Sequence, residues 1–263
     1  LRDHWELKLP KSVARQLAKN FAGNPQIMLL FKIWWGYENH TDTELERYVN
    51  EMPQVESVKE GESKLRSFVM ECLYQTVEQN DSRLNRLIEA ISLFSIEETE
   101  DFYRQAYEKV AAGDFLVQFE KWVEDIGIVE YDANVARYRL PDSLKRFYYQ
   151  KLQSARLRRI LHSVAGKMYQ GRFKDTQSTI DAMEGARHFL KAEREEDAVR
   201  ILEPVMALPD LDEYHARQIL PVLNYINVDM LGTAEAKVNT LHTRGKFYLH
   251  TGNFDLAEND FIS

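Results

Sequence analysis

Two groups of charged side chains are the first candidates for chemistry in this sequence. Glu97, Glu98, Glu100 and Asp101 fall within five residues, a cluster of carboxylates near a helix start. From Lys151 to Lys174 the chain carries Lys151, Arg156, Arg158, Arg159, Lys167, Arg172 and Lys174 with no acidic residue. That composition suits nucleic acid, an acidic partner or a phosphate. Both groups also have plainer readings. The carboxylates sit near a helix start, where they favour the macrodipole, and are expected to form a solvated face. Leu157, Leu161, Val164 and Met168 run through the basic stretch at helical spacing, so its cations are expected on the outside of a packed helix.

The other reactive side chains assemble into no motif. Histidines stand at 4, 40, 162, 188, 215, 242 and 250, and His162 and His188 are read as helix-interface residues. None of the eleven glycines belongs to a Gly-x4-Gly-Lys-Ser/Thr loop: Gly166-Lys167 is followed by Met168, and Gly245-Lys246 by Phe247. There is no cysteine pair, no His-Glu-x-x-His, and no serine or cysteine nucleophile motif. Cys72 shares a helix face with Leu65, Phe68, Val69, Leu73 and Thr76 and is expected in the core. Being single, it also excludes a disulfide framework. The chain by itself is read as no enzyme and as holding no metal.

Bulk properties narrow the class further. The length of 263 residues allows one large or two small domains with real cores, and 44% apolar with 29% charged content is ordinary for a globular protein. The longest apolar run, Ile27 to Phe31, is too short to span a membrane. A net charge of −8 argues against whole-surface affinity for nucleic acid or an anionic membrane. The first residues carry no signal-peptide pattern and no initiator Met. The start therefore reads as a cut inside a longer protein, with the cytoplasm as the expected compartment.

Periodicity and caps place the elements. Val13, Leu17 and Phe21 lie four apart on one helix face. Asn24 and Pro25 are expected as cap and first turn of an apolar helix from Gln26 to Trp35, and Thr41 or Asp42 as the cap of another from Glu44 to Glu51. Residues 53–61 read as a linker, Glu62 to Gln79 as an amphipathic helix, and Asn80 to Ser82 as a cap. Helices follow at Leu84 to Phe94, at Glu97 to Tyr107 with Ser95 and Glu98 as a possible capping box, and at Asp114 to Ile126, closed by Gly127. Two β-branched and aromatic runs, Ile128 to Tyr131 and Ala136 to Leu140, then precede a helix from Pro141 to Tyr149. Three helices and a hairpin in this order read as a winged helix. The third helix carries Asp114, Glu120, Glu124 and Asp125 against Lys121 alone. Such a surface repels phosphates, so Arg137 and Arg139 on the wing make only a weak footprint for DNA.

From Met183 onward helices pair: Ala186 to Ala192 with Glu196 to Leu202, then residues 211–227 with a break or bend near Pro221, then Leu241 to Phe261. In the last, Gly245, Tyr248, Gly252, Phe254, Ala257 and Phe261 stand at the spacings of the tetratricopeptide repeat, which the segment resembles. Gly245 and Ala257 would let two helices approach, Tyr248 and Phe261 would fill the space between them, and Gly252-Asn253 would turn the chain. That resemblance implies a groove for a protein or peptide ligand, with His188, Tyr248 and Asn253 as candidate groove residues.

The order of parts resembles the middle of a signal-transduction ATPase of the STAND class, related to plant resistance proteins and apoptotic ATPases. Gly23-Asn24-Pro25 before an apolar helix is similar to that family's Gly-x-Pro element, and Leu140-Pro141-Asp142 takes the three places of its Met-His-Asp motif. Arg158 to Tyr169 resembles the first helix of its repeats. The resemblance implies a mainly α fold: a helical lid at 1–60, a winged helix with a short hairpin wing at 61–150, a connecting helix at 151–182, and TPR-like repeats at 183–263, incomplete at the end. It implies a regulatory fragment that clamps ADP or ATP, with Mg, against an upstream P-loop domain. Ligand sensing by the repeats would then be coupled to oligomerisation, in bacterial defence. Gly23, Asn24, Pro25 and Asp142 become nucleotide-contacting candidates, Pro25 packing on adenine. The family's histidine, which contacts the β-phosphate, is here Pro141. A longer parent would be a slow ATPase. The alternatives are an ATP-dependent transcription activator of the same class and a non-enzymatic winged-helix and repeat adaptor.

Overall fold

The structure, a computed structural model, describes residues 11–21, 24–37, 41–52, 58–109, 111, 114–125, 128–209 and 211–263. Among these the chain is mainly helical, with a single two-stranded hairpin. In order, α1 is Lys11–Phe21, α2 Pro25–Tyr37, α3 Asp42–Glu51, α4 Val58–Ile91, α5 Glu100–Tyr107 and α6 Phe115–Glu120, continued by a π turn Lys121–Asp125. The strands β1 Glu130–Asp132 and β2 Arg137–Arg139 lead to α7 Asp142–Lys151 and α8 Ala155–Thr176. Then come α9 Thr179–Lys191, α10 Glu195–Leu202, α11 Glu213–Asn224, α12 Ala234–His250 and α13 Phe254–Ile262. No helix among the described residues is long and apolar enough to cross a membrane.

Contacts divide the chain into two compact units, one of residues 1–92 and 111–151, the other of residues 93–110 and 152–263. Residues 93–110, which contain the second of the three helices assigned above to a winged helix, cluster with the second unit.

In the first unit, local chemistry sets the helix starts. Asn24 caps α2 as expected, its Oδ1 accepting from the Ile27 amide at 3.1 Å. Thr41 and Glu44 form a reciprocal capping box on α3. Helix α1 buries Val13, Leu17 and Phe21. The apolar α2 buries Ile27, Leu30, Phe31, Ile33 and Trp34, and the Trp34 Nε1 donates to Thr76 Oγ1 at 3.0 Å. Helix α4 begins at Val58, inside the stretch read as a linker, of which 53–57 lie outside the described residues. At Asp81, with φ −152° and ψ 85°, it breaks into two helices. There Asp81 Oδ1 accepts from the Arg83 amide, so the expected cap does divide two helices.

The second half of α4 buries Leu84, Leu87, Ile88 and Ile91. Trp122 packs against it, fully buried, donating from Nε1 to the Leu84 carbonyl at 2.8 Å. The hairpin pairs Glu130 with Arg139, Tyr131 with Tyr138 and Asp132 with Arg137, shorter strands than the sequence suggests. Its turn is held by Asp132 Oδ1 accepting from the Asn134 amide and by Ala136 at φ 51°. Gly127, expected to close the third helix, lies outside the described residues. Helix α7 lies on α4 through the buried Tyr148, and Lys151 pairs with Glu71 at 2.6 Å.

In the second unit, Phe102 of α5 meets Tyr169 of α8 edge-on at 5.3 Å. The hairpins α9–α10 and α12–α13 share one turn. Amides of Ala192, Glu193, Arg194 and Ala198 donate to carbonyls of His188, Leu190, Phe189 and Arg194. At the corresponding places Thr251, Gly252, Asn253 and Ala257 donate to Phe247, Leu249, Tyr248 and Asn253. The residue in the left-handed region is Glu193 (φ 57°) in one turn and Gly252 (φ 77°) in the other, and glycine takes that conformation without steric cost. A Cβ on Gly245 would come within 2.6 Å of the Phe261 ring, so this glycine is what lets α12 and α13 approach.

Candidate functional site

The site with the clearest chemistry lies in the first unit, around the start of α7. Arg66 from α4, Glu130 and Arg139 from the hairpin, and Leu140, Pro141, Asp142, Ser143 and Arg146 surround a cavity of about 490 Å³. Leu140 is buried and anchors the chain as it leaves β2. Pro141 precedes the helix, and its carbonyl accepts from the Lys145 amide at 2.9 Å. Asp142 is thus the first residue of the helix rather than its cap. Its side chain is 84% exposed, 4.0 Å from Lys145, and it favours the positive end of the helix. Arg139 is held by Glu130 at 2.6 Å. The Ser143 Oγ is buried with no hydrogen-bond partner.

Three arginines against two carboxylates, at the amino end of a ten-residue helix, make a cavity suited to an anion. Guanidinium groups bind carboxylate or phosphate oxygens with charge-assisted, often bidentate hydrogen bonds. Open backbone N–H groups at the helix start add to that field, and the Ser143 hydroxyl is available as a donor. The Leu140-Pro141-Asp142 motif marks this place in the sequence. Arg66 was not legible there, because only the packing of α4 beside the hairpin brings it in.

The other candidates scatter. Gly23 lies outside the described residues, and of Pro25 only its position as the first residue of α2 is described. Tyr248 donates from its hydroxyl to Asn224 Oδ1 at 2.7 Å, and exposed Asn253 bonds Thr251 Oγ1 at 2.8 Å. His188, a candidate groove residue, is corrected. Only 2% exposed, it bonds His162 between their Nδ1 atoms at 2.9 Å and stacks on Tyr169, so no groove ligand reaches it. It is the interface residue that its place on an apolar face implied.

A second correction concerns the acidic run. Glu98 is fully buried, bound by Arg172 at 2.8 Å and by the Tyr169 hydroxyl. It neither faces solvent nor closes a capping box: Ser95 Oγ donates to Glu184, and Thr99 stands at the N-cap of α5. The basic run is partly spent in the same way, since Lys151, Arg159 and Arg172 pair with Glu71, Glu193, and Glu98 with Asp181.

The histidine pair gives a pH prediction. Burial, with Lys191 and Arg158 nearby, pushes His162 down to about 3. Burial, with His162 and Lys191, holds His188 well below the usual value. No third His, Cys, Asp or Glu joins them in a group able to hold a metal among the described residues. Both stay neutral in the fold while the unfolded chain protonates them near pH 6.5. Their stabilising effect is therefore complete above that pH and is lost progressively as pH falls below it. Urea unfolding at a series of pH values should show stability falling as pH drops below about 6, where the unfolded chain takes up protons that the folded pair does not. The double change His162→Gln, His188→Gln should flatten the slope; an unchanged slope would place the protons elsewhere.

No family model, curated protein or solved structure matches this chain.

Proposed function

We propose that this chain is the regulatory part of a STAND-type signalling ATPase and that the cavity at the start of α7 receives phosphate groups of ADP or ATP. A P-loop domain elsewhere in the protein would hold the nucleotide with Mg, and the helical hairpins of the second unit would act as repeats sensing a protein or peptide ligand. Oligomerisation, in bacterial defence, would be the output. The observation that carries this reading is the arginine cavity at Leu140-Pro141-Asp142, the position of the family's nucleotide-sensing motif. Pro141 removes the histidine contact, and Arg66, Arg139 and Arg146 supply positive charge in its neighbourhood. The second half of α4, α6 and the hairpin, all in the first unit, support part of a winged helix, and the shared turn of α9–α10 and α12–α13 supports repeats of the tetratricopeptide kind.

The test is titration of the intact protein with a fluorescent ADP analogue. Arg146→Glu, an exposed change, should weaken binding about tenfold or more, the worth of one charge-assisted hydrogen bond. Unchanged affinity would remove the cavity from the nucleotide site. A second reading, an adaptor that binds proteins without nucleotide, draws on Pro141 itself. It predicts no ADP binding by the intact protein at all.

A further inference from the structure

The second unit carries another concave surface that the anion cavity does not involve. Arg187, Leu190, Lys191, Pro221, Val222 and Tyr225 line a groove of about 390 Å³. Two helical stripes end at it. On α11, Tyr214, Gln218 and Pro221, with Tyr225 at its C-cap, recur at spacings that return to one face of a helix with 3.6 residues per turn, and on α9 Ile180, Arg187 and Lys191 do the same. These stripes are exposed where a monomer would normally place polar groups: Tyr225 is 79% exposed, Tyr214 67% and Ile180 49%. Tyrosines supply large amphipathic contact area at small entropic cost, which is why they concentrate at binding surfaces.

Charge gives the groove a sign. Both charged side chains lining it are cations. The acid on the same side of α9, Glu184, is 2% exposed and already bound to Arg187 and Ser95. Lys191 is exposed and has no carboxylate within ion-pair distance among the described residues, and partial desolvation at the groove wall holds it below the usual lysine range, with Glu184 opposing and Arg187 reinforcing that shift. An arriving carboxylate relieves this. The floor between the cations is apolar, formed by Leu190, Pro221 and Val222, and takes a side chain rather than a phosphate. A nucleic-acid backbone needs a run of cations to follow its charge, which two residues do not provide.

We propose that this groove docks a short acidic peptide segment of a partner protein, one apolar side chain entering between Leu190, Val222 and Tyr225 while flanking carboxylates meet Lys191 and Arg187. The proposal deepens the reading of the second unit as a ligand-sensing region and rests on it, but needs no nucleotide. It is tested by fluorescence anisotropy on the intact protein. The probe is a labelled peptide with a Leu-Phe pair flanked by acidic residues, run against one with lysines in their place and one with Ser-Gly in place of Leu-Phe. Saturable binding of the acidic Leu-Phe peptide alone is expected, weakened about tenfold by Tyr225→Ala and by Lys191→Glu and reduced by salt. Binding that is absent, that the lysine peptide shares, or that both variants leave unchanged overturns the proposal. So does a single-stranded oligonucleotide that displaces the peptide from the groove. ADP titration separates the two readings: peptide binding without ADP binding removes the ATPase reading and leaves the docking site standing, and ADP binding without peptide binding does the reverse.

Discussion

Replacing Arg172 with alanine is expected to cost the fold about 3–5 kcal/mol, the usual consequence of removing one partner from a buried ion pair. The guanidinium donates to Glu98 Oε2 at 2.8 Å and to Asp181 Oδ1 at 2.6 Å, and lies over the rings of Phe102 and Tyr169 at 4.4 and 5.0 Å. Glu98 is fully buried and Asp181 is 5% exposed. Without Arg172 two neighbouring carboxylates would stay inside the second unit with, among the described residues, hydroxyl donors alone, from Tyr169 and Thr176. Arg172→Lys should fall between the wild type and alanine, because an ammonium keeps the charge but loses the planar fork. Urea unfolding followed by circular dichroism measures the effect. An alanine variant within experimental error of the wild type would mean that the carboxylates find water or protons at no cost, and that the cluster does not hold α5 to α8.

In the first unit the corresponding anchor is Trp122. Trp122→Ala should destabilise by about 3–5 kcal/mol, the range for deleting a large aromatic from a packed core. The side chain is fully buried, and its Nε1 donates to the Leu84 carbonyl. Its own carbonyl accepts from the amides of Ile128 and Val129 as the chain turns toward β1. One residue therefore ties α4, the π turn and the approach to the hairpin together. Trp122→Phe retains most of the apolar volume and loses the donor, and should cost about 1–2 kcal/mol through the hydrogen bond and the residual space. Equal losses for the two variants, read from the same unfolding curves, would assign the whole effect to the Nε1 hydrogen bond that both lack and none to ring burial. Because Glu130 and Arg139 of the hairpin line the anion cavity, Trp122→Ala should also loosen that site, a change Arg146→Glu would not produce in the unfolding curves.

Much of the helical framework was legible along the chain. Val13, Leu17 and Phe21 are buried as their spacing requires, Asn24 and Thr41 cap the helices they were expected to cap, and Gly245 stands where a Cβ would strike Phe261. A succession of helices with one hairpin between residues 82 and 151 followed from the alternation of apolar periodicity with β-branched and aromatic runs. The start of α4 was missed because the polar stretch before Glu62 carries no apolar stripe to mark it as helix. Of the residues around the cavity at the start of α7, Leu140, Pro141 and Asp142 stand out along the chain by their resemblance to a family motif, and Arg139 as part of a weak DNA footprint rather than for an anion.

The rest was settled by tertiary packing. Glu98 looked like one of four solvated carboxylates, and nothing within a turn of helix distinguishes it from Glu97 or Glu100. Its burial depends on Arg172, 74 residues away. His188 looked like a groove residue until the crossing of α8 and α9 set it against His162. Arg66 joins the cavity, and Tyr225 faces Lys191 across a groove, only because helices distant in sequence lie side by side. Caps and stripes are decided by residues three and four apart, whose interactions the sequence states outright. Whether a charge is buried, paired or left facing a ligand depends on which helix covers it, and that is the sum of many weak apolar contacts between segments far apart along the chain.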